Sequence, residues 1–474
     1  MAKVKSIHLI SSDWWAPHFE TDLELIENSL EEGNEAVVIS CKGILPTCMI
    51  NPEHRWLDCV RCVGRTQNGL SDFNTKIRTI DLFNGQVPGG TKWLNQAVPS
   101  SLKEFVKLHE GPLEIGYAVA THLVDQTRDP EMNPALDQTN TRQLLDLTSN
   151  AYRWFGDLLN REKPAKVFAM NGRHLYYRAM YQACLDRGIP VFMHERGGSK
   201  DRYMLFENAL PHSLLFWDRL IENYRITHTK EAIKEAGNAF YQNKAGGGEL
   251  NWHSYTSDQD KSKLPDGFHF HRKKVGVFLS SEFEFAALST EWDDKPYPDQ
   301  NEGILRICKE LDVPDMHFFI RAHPHMKNHA NQHLKFLEEN VPANATYIGP
   351  GAPVSSYAML RQCDVVLSFG STMGVEACYW GKPSIIAGPA SYRSLNVGSR
   401  CSNHQNVLNA LRGNWEIGDK EDAVLFGAVM ATFGTLFKHV EMETPFKGTF
   451  KGKNVQVVRE PWRRIALKMA SLLP

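Results

Sequence analysis

The sequence lacks the motifs that mark several common nucleotide-using enzymes. It has no Gly-x-x-x-x-Gly-Lys-Ser/Thr phosphate loop and no Gly-x-Gly-x-x-Gly after its first apolar strand. These absences argue against an ATPase and against a dinucleotide-dependent oxidoreductase. Asp293 and Asp294 are adjacent rather than spaced, so they do not form an Asp-x-Asp that holds a metal diphosphate. We therefore expect chemistry that needs neither a cofactor nor a metal.

A strong charge imbalance and a long apolar run are also missing. The 53 basic and 55 acidic residues give a net charge of −2, which argues against a general nucleic-acid-binding protein. The longest apolar candidate, 423–437, contains two glycines and is shorter than the roughly 20 residues that span a bilayer. The N-terminal residues lead directly into an apolar strand, so we expect no signal peptide and a cytoplasmic location.

Cysteine is scarce and odd in number. Five of the nine cysteines are scattered, which is typical of a reduced protein, but Cys41, Cys48, Cys59 and Cys62 fall within 22 residues. Cys59 and Cys62 form a C-x-x-C pair, and four thiolates could enclose a tetrahedral zinc ion. Cys41 and Cys48 are separated by six residues, which is unusual for a zinc knuckle, so free thiols are the alternative.

The alternation of apolar strand patterns and amphipathic helix patterns along the sequence predicts an α/β protein. Residues 4–11 and 35–41 read as buried strands around a helical pattern at 19–30, which begins a parallel sheet. A polar stretch follows residue 225, and a new strand begins at 274. We therefore predict four regions, which are a first α/β domain with a cysteine-containing loop (1–240), a linker (241–273), a second α/β domain (274–445), and a C-terminal helix packing back across the domains (446–474). A membrane-surface helix is the alternative for the last region.

The stretch 363–389 is the strongest local signal. It reads as a strand, a turn of Gly370, Ser371 and Thr372, a helix and a second strand. Free backbone N–H groups and hydroxyls at such a turn suit an anion, most simply a phosphate. Glu376, on the first turns of the helix, could accept hydrogen bonds from ribose hydroxyls. An ordinary loop between strand and helix is the alternative reading.

Further polar residues follow neighbouring strands of the predicted second domain. Arg321 and His323 end the strand at 317–320, and Pro324 restricts the turn that holds the histidine. Ser281 lies in the loop after the domain's first strand. We expect these three side chains to bind the same phosphate.

In the first domain, two consecutive strands end in polar loops. Arg173 follows the strand at 165–170, and His194, Glu195 and Arg196 follow the strand at 189–193. The carboxyl edge of a parallel sheet is where α/β folds bind ligands. Asp13, after the first strand, belongs to the same edge. Surface salt bridges are the alternative for any one of these residues.

The His323-Pro324 pair, the Gly370-Ser371-Thr372 turn, Glu376 and Gly381-Lys382-Pro383 together resemble the donor domain of GT-B glycosyltransferases. Within these, the chain resembles the capsule and surface-polysaccharide biosynthesis group. Its HP and Ser/Thr motifs are also similar to those of bacterial polysialyltransferases and Kdo transferases, which use CMP-sugars. The resemblance implies two Rossmann-like domains facing each other across a cleft.

The resemblance also implies roles and partners. The donor would be a CMP-, UDP- or GDP-linked sugar, and the acceptor a glycan or lipid-linked glycan. Peripheral contact with the inner membrane or with polysaccharide assembly machinery would follow. His323, Ser371 and Thr372 would bind the donor phosphate, and Glu376 the ribose.

For catalysis, the resemblance implies a first-domain acid in a D/E-D/E-G motif. Glu195 matches this motif in part, because Arg196 replaces the second acid. Glu195 is the expected general base, Asp13 the second candidate, and His194 part of the same set. Arg173 and Arg196 would stabilise the leaving group or bind an acidic acceptor.

Three alternative functions remain open from the sequence. A sugar-nucleotide 2-epimerase and a glycerophosphotransferase of teichoic acid synthesis share the architecture. An inactive subunit that binds glycan or nucleotide in a polysaccharide assembly complex is the non-enzymatic rival.

Overall fold

The structure is a computed structural model that describes residues 4–10, 16–87, 89, 92–249, 254, 256–270, 273–311, 316–328, 332–461 and 463. The chain divides into two compact units. The first unit comprises Met1–Leu123, Asn133–Pro211 and Phe433–Pro474, and the second comprises Val124–Met132 and His212–Thr432.

Up to residue 211, the described residues form six strands and six α-helices, in the order β1 (Lys5–Leu9), α1 (His18–Glu31), β2 (Glu35–Ser40), α2 (Trp56–Ser71), β3 (Arg78–Asp81), α3 (Leu102–Phe105), α4 (Ile115–Thr127), α5 (Gln138–Glu162), β4 (Lys166–Met170), α6 (Leu175–Leu185), β5 (Val191–Arg196) and β6 (Arg202–Glu207).

The next segment forms α7 (Leu214–Thr227), α8 (Lys230–Gly246), β7 (Lys273–Phe278), α9 (Gln300–Glu310), β8 (Met316–Arg321), α10 (Gln332–Glu339), β9 (Ala345–Ile348), α11 (Ser356–Gln362), β10 (Val365–Ser368), α12 (Met373–Tyr379), β11 (Ser384–Ile386), β12 (Ser399–Arg400), α13 (His404–Arg412) and α14 (Lys420–Thr432). The chain then returns to the first unit with β13 (Thr435–Leu436), β14 (Val440–Thr444), β15 (Lys447–Phe450) and β16 (Lys453–Asn454).

The first unit is built on a seven-stranded sheet in the order β3-β2-β1-β4-β5-β6-β13. The strands from β3 to β5 are parallel, and Ile7 of β1 lies between Val37 and Val167 in the register. Two antiparallel strands, β6 and β13, complete one edge. Strands β14, β15 and β16 form a separate antiparallel sheet.

The second unit contains a six-stranded parallel sheet in the order β9-β8-β7-β10-β11-β12. Alternate residues point to opposite faces, so Val275 and Val277 pack in one core cluster while Phe278 packs in another. Burial on both faces is characteristic of a doubly wound sheet. In both units the strand order reverses beside the first strand, as in Rossmann-like folds. The predicted α/β class with parallel sheets is confirmed.

Side-chain caps begin several helices of the second unit. The Ser355 hydroxyl accepts the Ala358 N–H at 3.0 Å, as its position before an apolar helix predicts. Asp299 caps α9 in the same way, accepting the Glu302 N–H at 2.9 Å. Within the described residues, no helix is both long enough and apolar enough to cross a membrane.

The division into units differs from the predicted boundaries at α8. We assigned this helix to the first domain and the linker, yet it packs on α14 within the second unit. The Tyr241 hydroxyl donates to the Ala423 carbonyl at 2.7 Å. At Gly237 a Cβ would overlap the backbone of Val424, so glycine permits this close helix contact.

The C-terminal prediction also differs from the structure. Residues 433–445, which we assigned to the second domain, belong to the first unit, where β13 pairs with β6. The helix predicted from 446 is replaced at its start by β15, which pairs with β14. Residues 462 and 464–474, which carry most of the predicted helix, lie outside the described residues.

Candidate functional site

Three loops of the second unit meet at the carboxyl ends of β7, β8 and β10. The strand order reverses between β7 and β10, and ligands of open α/β sheets bind at such a switch point. A cavity of about 260 Å³ lies here, which we call the Arg321 cavity. Its lining includes Phe240, Lys244, Arg321, His323, Ser356, Tyr357, Ser371, Thr372 and Glu376. The structure thus brings together five of the predicted donor-binding side chains.

Arg321 is a buried cation without a carboxylate partner among the described residues. Its side chain is 2 % exposed, and it donates to the carbonyls of Gly349 and Ala352. The Nε atom has no hydrogen-bond partner within the part of the chain that the structure describes. Burial lowers the pKa of Arg321 to about 10, so the guanidinium still carries its charge at neutral pH. The cavity therefore has a positive wall.

His323 is held in one tautomer. Its Nδ1 accepts the His325 N–H at 3.2 Å and lies 3.3 Å from the Ser281 hydroxyl. Because Nδ1 accepts, the neutral ring carries its proton on Nε2. Burial, together with the nearby cations Lys244 and Arg321, lowers the pKa of His323 to about 4. The ring is therefore neutral at pH 7 and can donate one hydrogen bond. Ser281 does not line the cavity but supports the ring.

The Gly370 turn has the shape that the sequence predicts. Gly370 has a φ of 107°, and a Cβ there would overlap the Pro389 carbonyl oxygen, so only glycine fits. The Ser371 hydroxyl accepts the Met373 N–H at 3.3 Å, and Tyr392 donates to the Ser371 carbonyl at 2.7 Å. The turn is thus fixed on both sides.

Glu376 is buried rather than exposed, and three donors hold its carboxylate. Tyr357 donates to Oε2 at 2.6 Å, while Lys244 and Thr372 donate to Oε1 at 2.7 and 3.0 Å. Burial and the adjacent carboxylate raise the pKa of Tyr357, which keeps its hydroxyl protonated as a donor. Glu376 therefore fixes Lys244 and Thr372 at the cavity wall.

Lys244 and Tyr357 were missed by the sequence analysis. Lys244 precedes a run of three glycines, which suggested a linker, but it lies in the last turn of α8. The signal that could have found this helix is Thr229, whose hydroxyl caps it by accepting the Ala232 N–H. Tyr357 carries no local signal, because its role depends on a partner in another helix.

In the first unit, Glu195 and Asn171 are brought together at the ends of β5 and β4. Asn171 donates to Glu195 Oε2 at 2.8 Å, and His18 Nε2 lies 3.3 Å from Oε1. Burial would raise the pKa of Glu195, but His18, Asn171 and the Arg196 N–H outweigh it and lower that pKa to about 2. The carboxylate is therefore ionised, as a base must be, although such a low pKa weakens it as a proton acceptor.

The side chains of the other predicted residues of the first unit have different partners from Glu195. His194 is fully buried, and its Nε2 lies 2.8 Å from Asp22 of α1, which gives a substrate no surface to contact. Arg196 is 9 % exposed, and it donates to the carbonyls of Pro445 and Ala16. The structure thus gives both side chains internal partners. Arg173 is half-buried in the loop after β4, and Asp13 lies outside the described residues.

No three of the four clustered cysteines have sulfur atoms that converge on one point. All are free thiols, and they line a small cavity of about 50 Å³ in the first unit. Among the described residues, the one group of three or more His, Cys, Asp or Glu side chains whose ligand atoms converge contains none of them. Burial raises the pKa of the Cys48 thiol to about 12. The zinc and free-thiol alternatives for these cysteines both stay predictions.

The fold and the cavity define an α/β protein with a candidate anion site in its second unit. No family model matches the sequence, and no curated protein is significantly similar to it. Among solved structures, the chain is similar to Thermosulfurimonas dismutans KpsC, a beta Kdo 2,4 transferase, at 13 % identity and a TM-score of 0.38, over 56 % of this chain and 80 % of that one.

Two further structures are similar over more of the chain. Methanocaldococcus jannaschii UDP-GlcNAc 2-epimerase shares 12 % identity at a TM-score of 0.29, covering 89 % of this chain and 98 % of that one. Acinetobacter baumannii MurG shares 12 % identity at a TM-score of 0.26, covering 99 % of this chain and all of that one (100 %). At these values, the fold class rests on the sheet order of the chain itself.

Proposed function

We propose that the protein is a metal-independent glycosyltransferase that moves a sugar from a nucleotide-sugar to a growing surface glycan. The observation that carries this proposal is the buried Arg321 at the switch point of the second sheet, which has no carboxylate partner within the described part of the chain. Burying a cation is costly unless an anion compensates it. A phosphate group of the donor supplies that anion.

The surroundings of Arg321 suit a nucleotide phosphate. Arg321 and Lys244 contribute two positive charges and Glu376 one negative charge, while His323 is neutral at pH 7. The wall is therefore positive by one charge before a ligand binds. Ser371 and Thr372 add hydroxyls, and the Nε2–H of His323 donates to the departing phosphate without first acquiring a proton.

We assign the ribose to Glu376, whose carboxylate has about four acceptor positions and uses three. The remaining position would accept one ribose hydroxyl. Glu195 is the proposed general base for the acceptor hydroxyl, and Arg173 the proposed contact for the leaving group or an acidic acceptor. The donor nucleotide is CMP, UDP or GDP, and the acceptor is a glycan or a lipid-linked glycan.

Product analysis tests this reaction against its rivals. The protein is incubated with each nucleotide-sugar and a surface-glycan acceptor, and products are separated by mass. Transfer releases the nucleotide and lengthens the acceptor, whereas an epimerase changes the sugar without an acceptor. A glycerophosphotransferase instead consumes an activated glycerophosphate. We expect His323→Gln and Glu195→Gln to lose transfer. Binding without turnover for every donor would instead indicate a non-enzymatic subunit.

A further inference from the structure

A second group of polar side chains lies in the second unit outside the Arg321 cavity. Glu282 follows β7, Asp299 caps α9 and His333 is in the first turn of α10. Each offers one ligand atom, and these atoms all lie within 4.8 Å of one another. We call these three residues the Glu282 cluster. None of them lines the Arg321 cavity.

The spacing within the cluster suits a shared ion better than direct hydrogen bonds. His333 Nε2 lies 3.6 Å from Glu282 Oε2 and 3.7 Å from Asp299 Oδ1. Both distances exceed the usual range for a hydrogen bond. Ligands about 2.0–2.1 Å from a tetrahedral zinc ion lie about 3.4 Å from each other. The two distances from His333 Nε2 are thus within a few tenths of an ångström of the spacing between two ligands of one zinc ion.

Asn301 supplies an independent observation that points to a ligand here. Its side chain is 3 % exposed, and its Nδ2 donates to the His333 carbonyl at 2.7 Å. Its Oδ1 is buried and has no hydrogen-bond partner among the described residues. Asn301 lines the same surface cavity as Asp299 and His333. A buried amide oxygen without a donor is costly, and a cation would satisfy it.

The charges around the cluster also favour a cation. Glu131 lines the same cavity as Asp299 and His333. The cluster and Glu131 thus place three carboxyl groups close together. Lys295 Nζ lies 3.7 Å from Glu282 Oε1, and the cavity lining itself holds five carboxyl side chains but two cationic ones, Arg306 and Lys309. A divalent ion would offset the excess of carboxylates.

We propose that Glu282, Asp299 and His333 form a divalent-metal site, with zinc as the best-fitting ion and Asn301 Oδ1 as a further oxygen donor. An imidazole nitrogen with carboxylate oxygens is a typical zinc ligand set. The ion would join the loop after β7 to α9 and α10. Ser281, the residue before Glu282, lies 3.3 Å from His323 Nδ1, so the ion would steady the loop that supports this ring. The metal site does not depend on the proposed transfer reaction.

Zinc titration of the full-length protein tests this site. The protein is treated with EDTA, dialysed and titrated with zinc chloride alone by calorimetry. We expect one zinc ion to bind per chain, and Glu282→Gln and His333→Gln each to weaken binding at least tenfold. Glu310→Gln is the matched control, because Glu310 lines the same cavity and its carboxylate also pairs with a histidine, His404. This control should bind zinc as tightly as the wild type.

Cobalt substitution distinguishes this site from the clustered cysteines and uses only the wild-type chain. Cobalt bound by oxygen and nitrogen gives visible bands without the near-ultraviolet charge-transfer band of a cobalt–thiolate bond. Visible bands without that thiolate band support the site even where a variant fails to fold. Absence of binding, thiolate bands alone, or unchanged zinc affinity in both folded variants would overturn the proposal.

Discussion

Replacing Arg321 with methionine should separate ligand binding from stability. Methionine keeps an unbranched side chain in the buried position but removes the charge. A phosphate about 5 Å from the guanidinium gains about 3 kcal/mol at an effective dielectric constant of about 20. Losing this attraction weakens nucleotide binding roughly 100-fold, because each 1.4 kcal/mol is a factor of ten.

The stability of the free protein should change much less. The pKa of Arg321 falls from 12.5 to about 10 on burial. At 1.36 kcal/mol per pKa unit, this corresponds to about 3 kcal/mol of unfavourable burial that methionine would relieve. Against this gain, methionine loses the hydrogen bonds to Gly349 and Ala352, which contribute about 1.5–3 kcal/mol each as bonds from a charged group. The two effects are of similar size and oppose one another.

The assay combines urea unfolding of the free protein with calorimetric titration by CMP, UDP and GDP. Arg400→Met is the matched control, because Arg400 also donates to a backbone carbonyl, that of Tyr392, but does not line the cavity. We expect it to retain wild-type affinity. Full nucleotide affinity in a folded Arg321→Met variant, or an equal loss in the control, would refute the role of Arg321.

Three further outcomes follow from the described contacts. Desolvation lowers the pKa of His122 to about 4, so the unfolded chain takes up a proton on this residue at a higher pH than the folded protein does. The resulting stability, about 3 kcal/mol, is present above pH 6.5 and is lost as the pH falls toward 4. Urea unfolding at both pH values should show this loss, and His122→Asn should reduce it; an unchanged pH dependence would contradict it. Gly370→Ala should destabilise the fold by a few kcal/mol in thermal unfolding. Gly381 is also at positive φ, but a Cβ there would meet no atom within 4 Å, so Gly381→Ala should destabilise the fold less. Equal losses of stability in the two variants would refute the steric argument. Tyr357→Phe should remove about 1–3 kcal/mol of stability by taking a donor from buried Glu376, and should weaken nucleotide binding in the same titration; unchanged unfolding would show that this bond contributes nothing.

The sequence predicted the sheet architecture and the second-unit loops because both depend on local patterns. Apolar runs separated by helical spacing define the strands, and the Gly370 turn is a short motif whose conformation only glycine allows. Parallel strands carry their carboxyl ends to one edge. The positions of Arg321 and His323 at the cavity therefore follow from the order of strands alone.

Residues whose environment depends on distant contacts could not be assigned in this way. His194 and Arg196 follow a strand just as Glu195 does, but Asp22 and the Pro445 carbonyl hold them in the interior. These partners lie 172 and 249 residues away in the sequence. Burial of this kind depends on tertiary packing and not on local periodicity.

The boundary of the second unit was misplaced for a similar reason. The glycines after Lys244 suggested a linker, whereas Gly237 reflects the close packing of α8 on α14. A glycine pattern alone does not distinguish a flexible connection from a helix contact.

A thermal-shift panel of CMP, UDP, GDP and their sugars tests the central claim most directly, because it asks whether the Arg321 cavity binds a nucleotide. Binding stabilises the folded state in proportion to the logarithm of ligand concentration over Kd. We predict that one nucleotide and its sugar raise the melting temperature of the wild type, and that Arg321→Met abolishes this rise. No shift with any nucleotide, or an undiminished shift in the variant, would contradict the account.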